Sequence, residues 1–287
     1  MNWWEAVVLG VVQGITEFLP ISSSAHVRVV GPLLPSGGDP GAAFTAIIQI
    51  GTEAAVLLYF WKDIVRIVSS WMRALAGKHG RDRASRLGAH NADARMGWWV
   101  ILGSIPIVVL GVLFQDYIEN QLRHLYLTAA GLAIFALVLG FADKIGAKRR
   151  ELDDVRGKDA ILLGLAQAMA LVPGVSRSGG TISMGLLLGL TREAAARYSF
   201  LLAIPAVLGS GFFQLLSNSG EITADGGPGI VNTVIAAIVA FGVGYVVIVW
   251  FLRIITRRSY WPFVWYRIAL AVGIVVLVVA GVIPAMS

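Results

Sequence analysis

The sequence predicts an all-α polytopic membrane protein with an inverted-topology repeat, made of six transmembrane helices and two re-entrant helical hairpins. The composition indicates a membrane protein, because 57% of the residues are hydrophobic, only 14% are charged and the mean hydropathy is +0.76. Six apolar segments are long enough, at roughly 20 residues each, to cross a bilayer. Two shorter apolar segments are interrupted by proline and occupy equivalent places in the two halves of the chain, which is typical of inverted repeats with broken helices.

The first repeat covers about residues 1–145 and begins with a predicted hairpin at 3–31. The first helix of this hairpin ends at Pro20, because proline lacks the N–H group that a helix needs and clashes with the preceding turn. Its second helix begins with three serines and ends at Gly31-Pro32. The three spans of this repeat are predicted at 42–61, 96–115 and 124–142.

The second repeat covers about residues 158–287 and has the same order of elements. Its hairpin is predicted at 159–190, with the break at Pro173-Gly174. Its three spans are predicted at 198–216, 230–252 and 263–283. The two repeats then form a single membrane domain, 1–287, in which the broken helices meet near the midplane of the bilayer, where such proteins bind their ligands.

The positions of the basic residues predict the orientation. Of the 23 Lys and Arg residues, 17 lie in three connecting segments, 62–95, 144–158 and 253–258, whereas the loop at 217–229 has none. Because cytoplasmic loops are enriched in Lys and Arg, these three segments are predicted to be cytoplasmic and both termini to lie on the outer side. The first hairpin then opens to the outside and the second to the cytoplasm. Because most positive charges lie in these loops between apolar segments, the net charge of +6 does not indicate nucleic-acid binding.

Each hairpin carries a polar motif with the same order of residues. A glutamine is followed by a short, mostly apolar stretch, a proline and a cluster of hydroxyl groups. The motifs run from Gln13 to His26 and from Gln167 to Thr181, at an offset of 154 residues. This offset aligns two triplets, Ser22-Ser23-Ser24 and Ser176-Arg177-Ser178. We interpret the two motifs as the halves of one site.

The second motif predicts a pocket for an oxyanion. The start of a helix offers unpaired N–H groups and the positive end of the helix dipole, both of which attract phosphate. The Arg177 guanidinium is suited to bidentate contact with a phosphate group. Hydroxyl groups add donors and glycines let the backbone approach the anion; these residues are Ser176, Ser178, Gly179, Gly180 and Thr181.

The first motif predicts groups that transfer protons. Glu17 and His26 can act as general acid or base, and a hydroxyl group of the triplet Ser22 to Ser24 can serve as a nucleophile. These roles are the counterpart of anion binding by the second motif, and together they describe a phosphate-handling site.

Structural interpretations of the same residues are also open. A charged group inside a bilayer costs about 2.5 to 3.5 kcal/mol, so it requires a partner or a hydrated cavity. Arg177 could form a purely structural ion pair with Glu17, and His26 could cap a neighbouring helix. Glu53 could be a structural or proton-balancing group packed against Gln49.

Both motifs resemble those of one family. The segment Gln13-x-x-x-Glu17-Phe-Leu-Pro-Ile-Ser-Ser-Ser-Ala-His26 is similar to the E/Q-x-x-x-E segment and following Ser/His cluster of bacterial undecaprenyl-diphosphate phosphatases, the bacitracin-resistance type. The segment Pro173-Gly-Val-Ser-Arg-Ser-Gly-Gly-Thr181 resembles their P-G-x-S-R-S-x-x-T signature. The resemblance implies an enzyme of the bacterial cytoplasmic (inner) membrane that hydrolyses undecaprenyl diphosphate to undecaprenyl phosphate and inorganic phosphate, which recycles the lipid carrier for peptidoglycan synthesis.

The resemblance also implies a divalent cation, Mg²⁺ or Ca²⁺, as cofactor. Two positions differ from a common form of the family pattern: Gln13 replaces a frequent glutamate, and Ser24-Ala25 replaces a frequent Thr-Gly. Glu17 is then the only carboxylate of the first motif, and we assign it as the cation ligand. Membrane lipid is the expected surrounding partner, and a homodimer is a further hypothesis of assembly.

The predicted site combines both motifs. We assign catalysis to Glu17, Ser23, His26 and Arg177. We assign diphosphate binding to Gln13, Ser22, Ser24, Ser176, Ser178, Gly179, Gly180 and Thr181. Ser23 is the first choice for the attacking group, with His26 as general acid or base. A water molecule activated by Glu17 or His26, and His26 itself, are the alternative nucleophiles.

Two other functions can be compared with this one. Lipid phosphatases of the phosphatidic-acid type need a further histidine after their Ser-Arg element, and no histidine follows His124 in this sequence. A transporter that carries a phosphorylated prenyl lipid through the same pocket is the competing hypothesis, because inverted repeats with two facing hairpins are typical of transporters.

Overall fold

A computed structural model describes the chain except residues 38–40, 81, 115–116, 119–121, 123, 225–226 and 287 and the side chains of 218, 219 and 221. The regular structure of the described residues is helical. The α-helices are α1 (Trp3–Thr16), α2 (Ser23–Leu33), α3 (Ala42–Tyr59), α4 (Trp61–Leu75), α5 (Arg83–Arg86), α6 (Ala92–Leu113), α7 (Leu125–Ile145), α8 (Gly157–Ala168), α9 (Arg177–Leu187), α10 (Arg192–Thr223), α11 (Ile230–Ile255) and α12 (Trp261–Val279). Short 3₁₀ helices cover Leu152–Asp154 and Met169–Leu171.

Six helices of the described chain are long and apolar enough to cross a membrane. They are α3, α6, α7, the part Arg192–Ser217 of α10, α11 and α12. Together they make this a multi-pass membrane protein, so the prediction of an all-α protein with six spans is confirmed.

Several helix ends differ from the predicted spans. Helix α6 begins at Ala92 rather than at 96, because the Asn91 side chain caps it by accepting a hydrogen bond from the Ala94 N–H group at 2.8 Å; its predicted end at 115 lies outside the described residues. Helix α10 continues to Thr223, so the predicted loop at 217–229 is shorter than expected. Helix α12 ends at Val279 rather than at 283, shortly before Gly281 at φ 69°.

The prediction of a continuous loop at 62–95 is wrong for its first part, which forms helix α4. The apolar residues of this segment recur at helical spacing between Lys and Arg residues. Ile67 and Ala74 are buried, and α4 packs on α6, whereas Trp61, Val65 and Met72 are exposed. A helix with an exposed apolar stripe and a basic side is typical of a membrane surface.

The two predicted helix breaks are present. Helix α1 ends at Thr16 and α2 begins at Ser23, and α8 ends at Ala168 before α9 begins at Arg177. These four helices have 14, 11, 12 and 11 residues, too few to cross a bilayer singly. Ser22 and Ser176, which the sequence alignment of the motifs places together, both have positive φ, at 71° and 70°. The same uncommon backbone conformation therefore precedes the second helix of each hairpin.

Helix packing is symmetrical under exchange of the two halves. Helix α1 packs on α11, and its counterpart α8 packs on α6. The first spans, α3 and α10, pack on each other, as do the last spans, α7 and α12. This exchange of partners is what an inverted repeat predicts, and the division into repeats and the re-entrant course of the hairpins remain predictions.

Glycines allow the hairpin helices to approach their partners closely. A methyl group built at Gly10 of α1 would lie 2.5 Å from the Ala236 carbonyl oxygen of α11. A methyl group built at Gly164 of α8 would overlap the backbone of Gly103 in α6. Small residues at helix interfaces are typical of membrane proteins, in which packing replaces the hydrophobic effect between helices.

We expect Gly164→Ala to destabilise the protein, because the added methyl group must push α8 away from α6; overpacking of this kind costs about 1–3 kcal/mol. Gly273→Ala is the matched control, since no atom lies within 4 Å of a methyl group at that helical position. The measurement is the midpoint of thermal unfolding in detergent. An equal midpoint for Gly164→Ala and Gly273→Ala would contradict the close packing of α8 on α6.

Candidate active site

An ion pair joins the two hairpins. Arg177, the first residue of α9, donates through Nη2 to Oε1 of Glu17, which follows the last residue of α1. The Glu17 and Arg177 side chains are 5% and 17% exposed, respectively, so both charges are largely withdrawn from solvent. The structure therefore brings the two polar motifs together across 160 residues of sequence.

Glu17 also contacts the hydroxyl group predicted as the nucleophile. Its Oε2 accepts a hydrogen bond from Ser23 Oγ at 2.6 Å and another from Gln13 Nε2 at 2.7 Å. Gln13 reaches Glu17 because residues four positions apart lie on the same face of a helix. A carboxylate that accepts a hydroxyl hydrogen bond of this length is placed to act as a general base for that hydroxyl group.

The hydrogen bonds of His26 are made to groups other than the Ser23 hydroxyl, for which it was predicted to act as a base. Its Nδ1 lies 2.7 Å from the Ser22 carbonyl oxygen, and its Nε2 lies 2.7 Å from the Tyr266 hydroxyl oxygen. Because a carbonyl oxygen can only accept, Nδ1 carries a proton, and Nε2 of a neutral ring then accepts a hydrogen bond from the Tyr266 hydroxyl group. The His26 and Tyr266 rings are also parallel, with centroids 5.6 Å apart. His26 thus connects the start of α2 to α12.

The serine at each positive-φ position is paired with the serine two residues later. Ser22 Oγ and Ser24 Oγ are 3.2 Å apart, and Ser176 Oγ and Ser178 Oγ are also 3.2 Å apart. The two helix starts differ, however, because the Ser176 side chain caps α9 by accepting from the Gly179 N–H group at 3.2 Å, whereas Ser22 makes no side-chain cap to α2. The start of α2 therefore keeps donors available for an anion.

Other residues predicted to bind diphosphate make contacts within the protein. Ser178 Oγ donates to the Leu19 carbonyl oxygen at 3.1 Å, which links the second hairpin to the break in the first. Thr181 is fully buried and its hydroxyl group contacts Ser199 and the Arg177 carbonyl oxygen. Methyl groups at the two predicted glycines would meet protein atoms, the Arg267 guanidinium at Gly179 and the Ala166 carbonyl at Gly180. These four residues therefore contact other parts of the protein and shape the site through those contacts.

Arg267 of α12 connects both hairpin breaks. It is not among the site residues that the sequence predicts. It is fully buried and donates to the Pro20 carbonyl oxygen at 2.9 Å, to Gly174 at 2.9 Å and to Val175 at 3.0 Å. Its Nε also donates to Leu132 of α7 at 3.2 Å. The available signal was an arginine inside a predicted apolar span, where a charge is costly and requires partners.

Comparisons with known proteins confirm the predicted resemblance to one family. The sequence model of the family described as "Bacitracin resistance protein BacA" matches residues 6–273. The chain belongs to this family. "Undecaprenyl-diphosphatase 2" of Agrobacterium fabrum is 58% identical over 286 residues, covering 99% of each chain. "Undecaprenyl-diphosphatase" of Paenarthrobacter aurescens is 58% identical over 285 residues, and that of Kineococcus radiotolerans 59% over 281, covering 99% and 98% of this chain and 100% and 95% of theirs.

A divalent cation, which the BacA family resemblance implies, fits part of this site. In the described part of the chain, no three His, Cys, Asp or Glu side chains converge as a complete ligand set. A buried oxygen beside Glu17, Gln13 Oε1, nevertheless has no hydrogen-bond partner among the described residues. Carboxylate and amide oxygens are the ligands that Mg²⁺ and Ca²⁺ prefer, and Mg²⁺ commonly takes only one or two carboxylates together with substrate phosphates.

We expect Arg267→Lys to destabilise this BacA family member, because an ammonium group cannot reach carbonyls of both breaks at once. Each charge-assisted hydrogen bond that is lost contributes about 1.5–3 kcal/mol. The measurement is the thermal unfolding midpoint in detergent, with the exposed Arg253→Lys as control. If both variants unfold at the wild-type temperature, Arg267 does not hold the breaks together.

Proposed function

We propose that this protein is an undecaprenyl-diphosphatase, which hydrolyses undecaprenyl diphosphate to undecaprenyl phosphate and inorganic phosphate and so recycles the lipid carrier of peptidoglycan synthesis. The observation that carries the proposal is the contact of Ser23 with Glu17, which is paired with Arg177, at the meeting point of two helix breaks in a membrane protein. The relatives with this printed name match nearly the whole chain at 58–59% identity, which supports the same conclusion.

The chain's own residues supply a base, a nucleophile and phosphate donors. Glu17 Oε2 accepts the Ser23 proton as Ser23 Oγ attacks the terminal phosphorus. The bond between that phosphorus and the bridging oxygen breaks, and undecaprenyl phosphate leaves with the proton that Glu17 gives up, so that Glu17 is again a carboxylate. Water then attacks the phosphoserine as Glu17 takes a proton from it. The bond between phosphorus and Ser23 Oγ breaks, Glu17 returns that proton to Ser23 Oγ, and inorganic phosphate is released. A divalent cation, when bound near Glu17, would offset negative charge on the phosphates.

Arg177 and the start of α2 stabilise the charge that develops on the transferred phosphoryl group. The Arg177 guanidinium has further donors beyond the one that contacts Glu17, and these suit the oxygens of a phosphate. The uncapped N–H groups at the start of α2 adjoin Ser23, so they lie beside the reacting phosphorus in this scheme. His26 is less suited to act as the nucleophile, because both ring nitrogens have partners.

The competing hypothesis of a transporter has no support from the relatives, whose printed names describe a hydrolase. The proposed location is the bacterial cytoplasmic membrane, with both termini on the outer side and the segment with α4 and α5 on the cytoplasmic side. A homodimer remains a hypothesis.

We expect the wild-type protein to release phosphate from a C55 prenyl diphosphate in detergent, and Ser23→Ala to lower kcat by about 100-fold or more, equivalent to about 2.7 kcal/mol of barrier. Removing the attacking oxygen leaves charge stabilisation in place but no serine nucleophile. Ser69→Ala, on α4 and away from the site, is the control. Near-normal kcat in Ser23→Ala would assign the attack to water, and a wild type that moves the lipid headgroup across liposomes without releasing phosphate would favour the transporter.

The proposed orientation can be tested by cysteine labelling, because the protein has no native cysteine. We expect Ser36→Cys to react from outside intact cells with a membrane-impermeant maleimide, and Ala84→Cys to react only after the membrane is opened. Both positions are exposed, so burial does not protect either of them. Labelling of Ala84→Cys from outside would reverse the proposed topology.

A further inference from the structure

A cavity at the end of α11 lies apart from the proposed active site. Its volume is about 550 Å³, which is within the range of ligand-binding cavities. The end of α11 and the residues after it form one wall, and the end of α3 and the start of α10 complete it. The lining residues are Tyr59, Glu193, Leu252, Arg253, Ile254, Thr256, Arg257 and Arg258. None of these residues belongs to the two polar motifs, so the cavity is separate from the site at the helix breaks.

Three arginines make the lining of this cavity positive. Arg253, Arg257 and Arg258 are exposed, and none of them forms an ion pair within the described ranges of the chain. Among the described residues that line the cavity, Glu193 alone is acidic, and its Oε1 lies 3.5 Å from Nη1 of Arg197. A guanidinium group can donate two parallel hydrogen bonds to the oxygens of a phosphate group. The lining therefore favours an anion that carries a phosphate group.

The basic lining continues into an apolar face of α11. Val246, Trp250 and Arg253 follow one another at intervals of four and three residues, so they lie along one face of this helix. Val246 is 66% exposed and Trp250 is 47% exposed. Toward the end of the span, this face thus changes from an aliphatic side chain to an indole and then to a guanidinium. Tryptophan is enriched where the hydrocarbon meets the lipid headgroups, and arginine extends its charge into the headgroup layer.

This combination matches a phospholipid better than a soluble anion. A soluble phosphate would use the arginines but would leave the exposed apolar face of α11 without a partner. A phospholipid with net negative charge uses both, since its phosphate group contacts the arginines and its acyl chains cover Val246 and Trp250. The enrichment of basic residues in cytoplasmic loops accounts for the sign of these charges but not for three of them lining one cavity between α3, α10 and α11. Basic pockets between spanning helices are typical sites for anionic lipid headgroups.

We propose that this cavity binds the headgroup of an anionic phospholipid, with its acyl chains against Val246 and Trp250. In the proposed orientation, the lipid belongs to the cytoplasmic leaflet. The three helices that form the cavity pack on one another and come from both predicted repeats, α3 from the first and α10 and α11 from the second. The bound headgroup therefore joins the two repeats at this end of the molecule. The proposal does not depend on hydrolysis of a diphosphate.

The test compares two triple variants of the full-length protein in non-ionic detergent. The first replaces all three lining arginines, as Arg253→Gln, Arg257→Gln and Arg258→Gln. The matched control removes the same charge from three exposed basic residues that do not line the cavity, as Lys144→Gln, Arg149→Gln and Lys158→Gln. The affinities for dioleoylphosphatidylglycerol and for the zwitterionic dioleoylphosphatidylcholine are measured by native mass spectrometry. The thermal unfolding midpoint is measured with each lipid and with inorganic phosphate.

We expect the wild type and the control to bind phosphatidylglycerol at least about ten-fold more tightly than phosphatidylcholine, because several basic side chains attract the anionic headgroup. The variant without the three arginines should lose this preference. Phosphatidylglycerol should raise the unfolding midpoint of the wild type and the control but not of that variant, since a ligand stabilises the state that binds it. Glu193→Gln should bind phosphatidylglycerol more tightly than the wild type, because the acidic group of the lining has been removed.

Equal preference for phosphatidylglycerol in the two triple variants would overturn the lipid site, as would equal affinity of the wild type for the two lipids. A rise of the wild-type midpoint with inorganic phosphate as large as that with phosphatidylglycerol would identify a site for a soluble anion and would also overturn the proposal. If the first triple variant does not fold, the single variants Arg257→Gln and Arg258→Gln decide by the same comparison, because both residues lie after the end of α11.

Discussion

The contacts of Arg267 with the two helix breaks are the interaction on which the site depends. A helix that stops inside a membrane leaves carbonyl groups without helical partners, and there is no bulk water in the hydrocarbon region to satisfy them. The Arg267 guanidinium donates to Pro20 in the first break and to Gly174 and Val175 in the second. The buried Arg267 guanidinium therefore satisfies carbonyl groups of both breaks and fixes the position of one break relative to the other. This brings Glu17 and Arg177 into contact.

The Glu17 carboxylate turns this arrangement into a site with chemical function. Its two oxygens contact the Arg177 guanidinium on one side and the Ser23 hydroxyl and Gln13 amide on the other. An isolated carboxylate would be costly in this environment, and the Arg177 guanidinium supplies the opposite charge. The structural interpretation of the ion pair and the catalytic one are therefore compatible, because a base buried in a membrane needs such a partner.

The same pocket keeps features that a purely structural core would avoid. Ser22 and Ser176 have positive φ, and the start of α2 lacks a side-chain cap. Both amide atoms of Gln167, the counterpart of Gln13, are buried and have no hydrogen-bond partner among the described residues. Strain and unpaired polar groups persist at functional sites where a ligand supplies the missing contacts, and both motifs contain such groups.

The sequence by itself determined the class of fold, the six spans, the two breaks and the residues of both motifs. These follow from hydrophobic runs, from prolines such as Pro20 and from local spacing, all of which involve neighbours along the chain. The apolar residues of α4 recur at helical spacing, so this helix is also encoded locally, whereas its basic residues indicate only the orientation. Helix ends at Asn91 and Gly281 depended on capping geometry rather than on hydropathy.

Only the tertiary structure decided which partners meet. Arg267 contacts Pro20 across 247 residues, and Tyr266 contacts His26 across 240. Nothing in the local sequence of α12 indicates those partners. The sequence of a span shows that it is apolar, but the partners of its few polar residues depend on how the helices pack. Local composition predicts elements, whereas the contacts between distant elements determine how the site works.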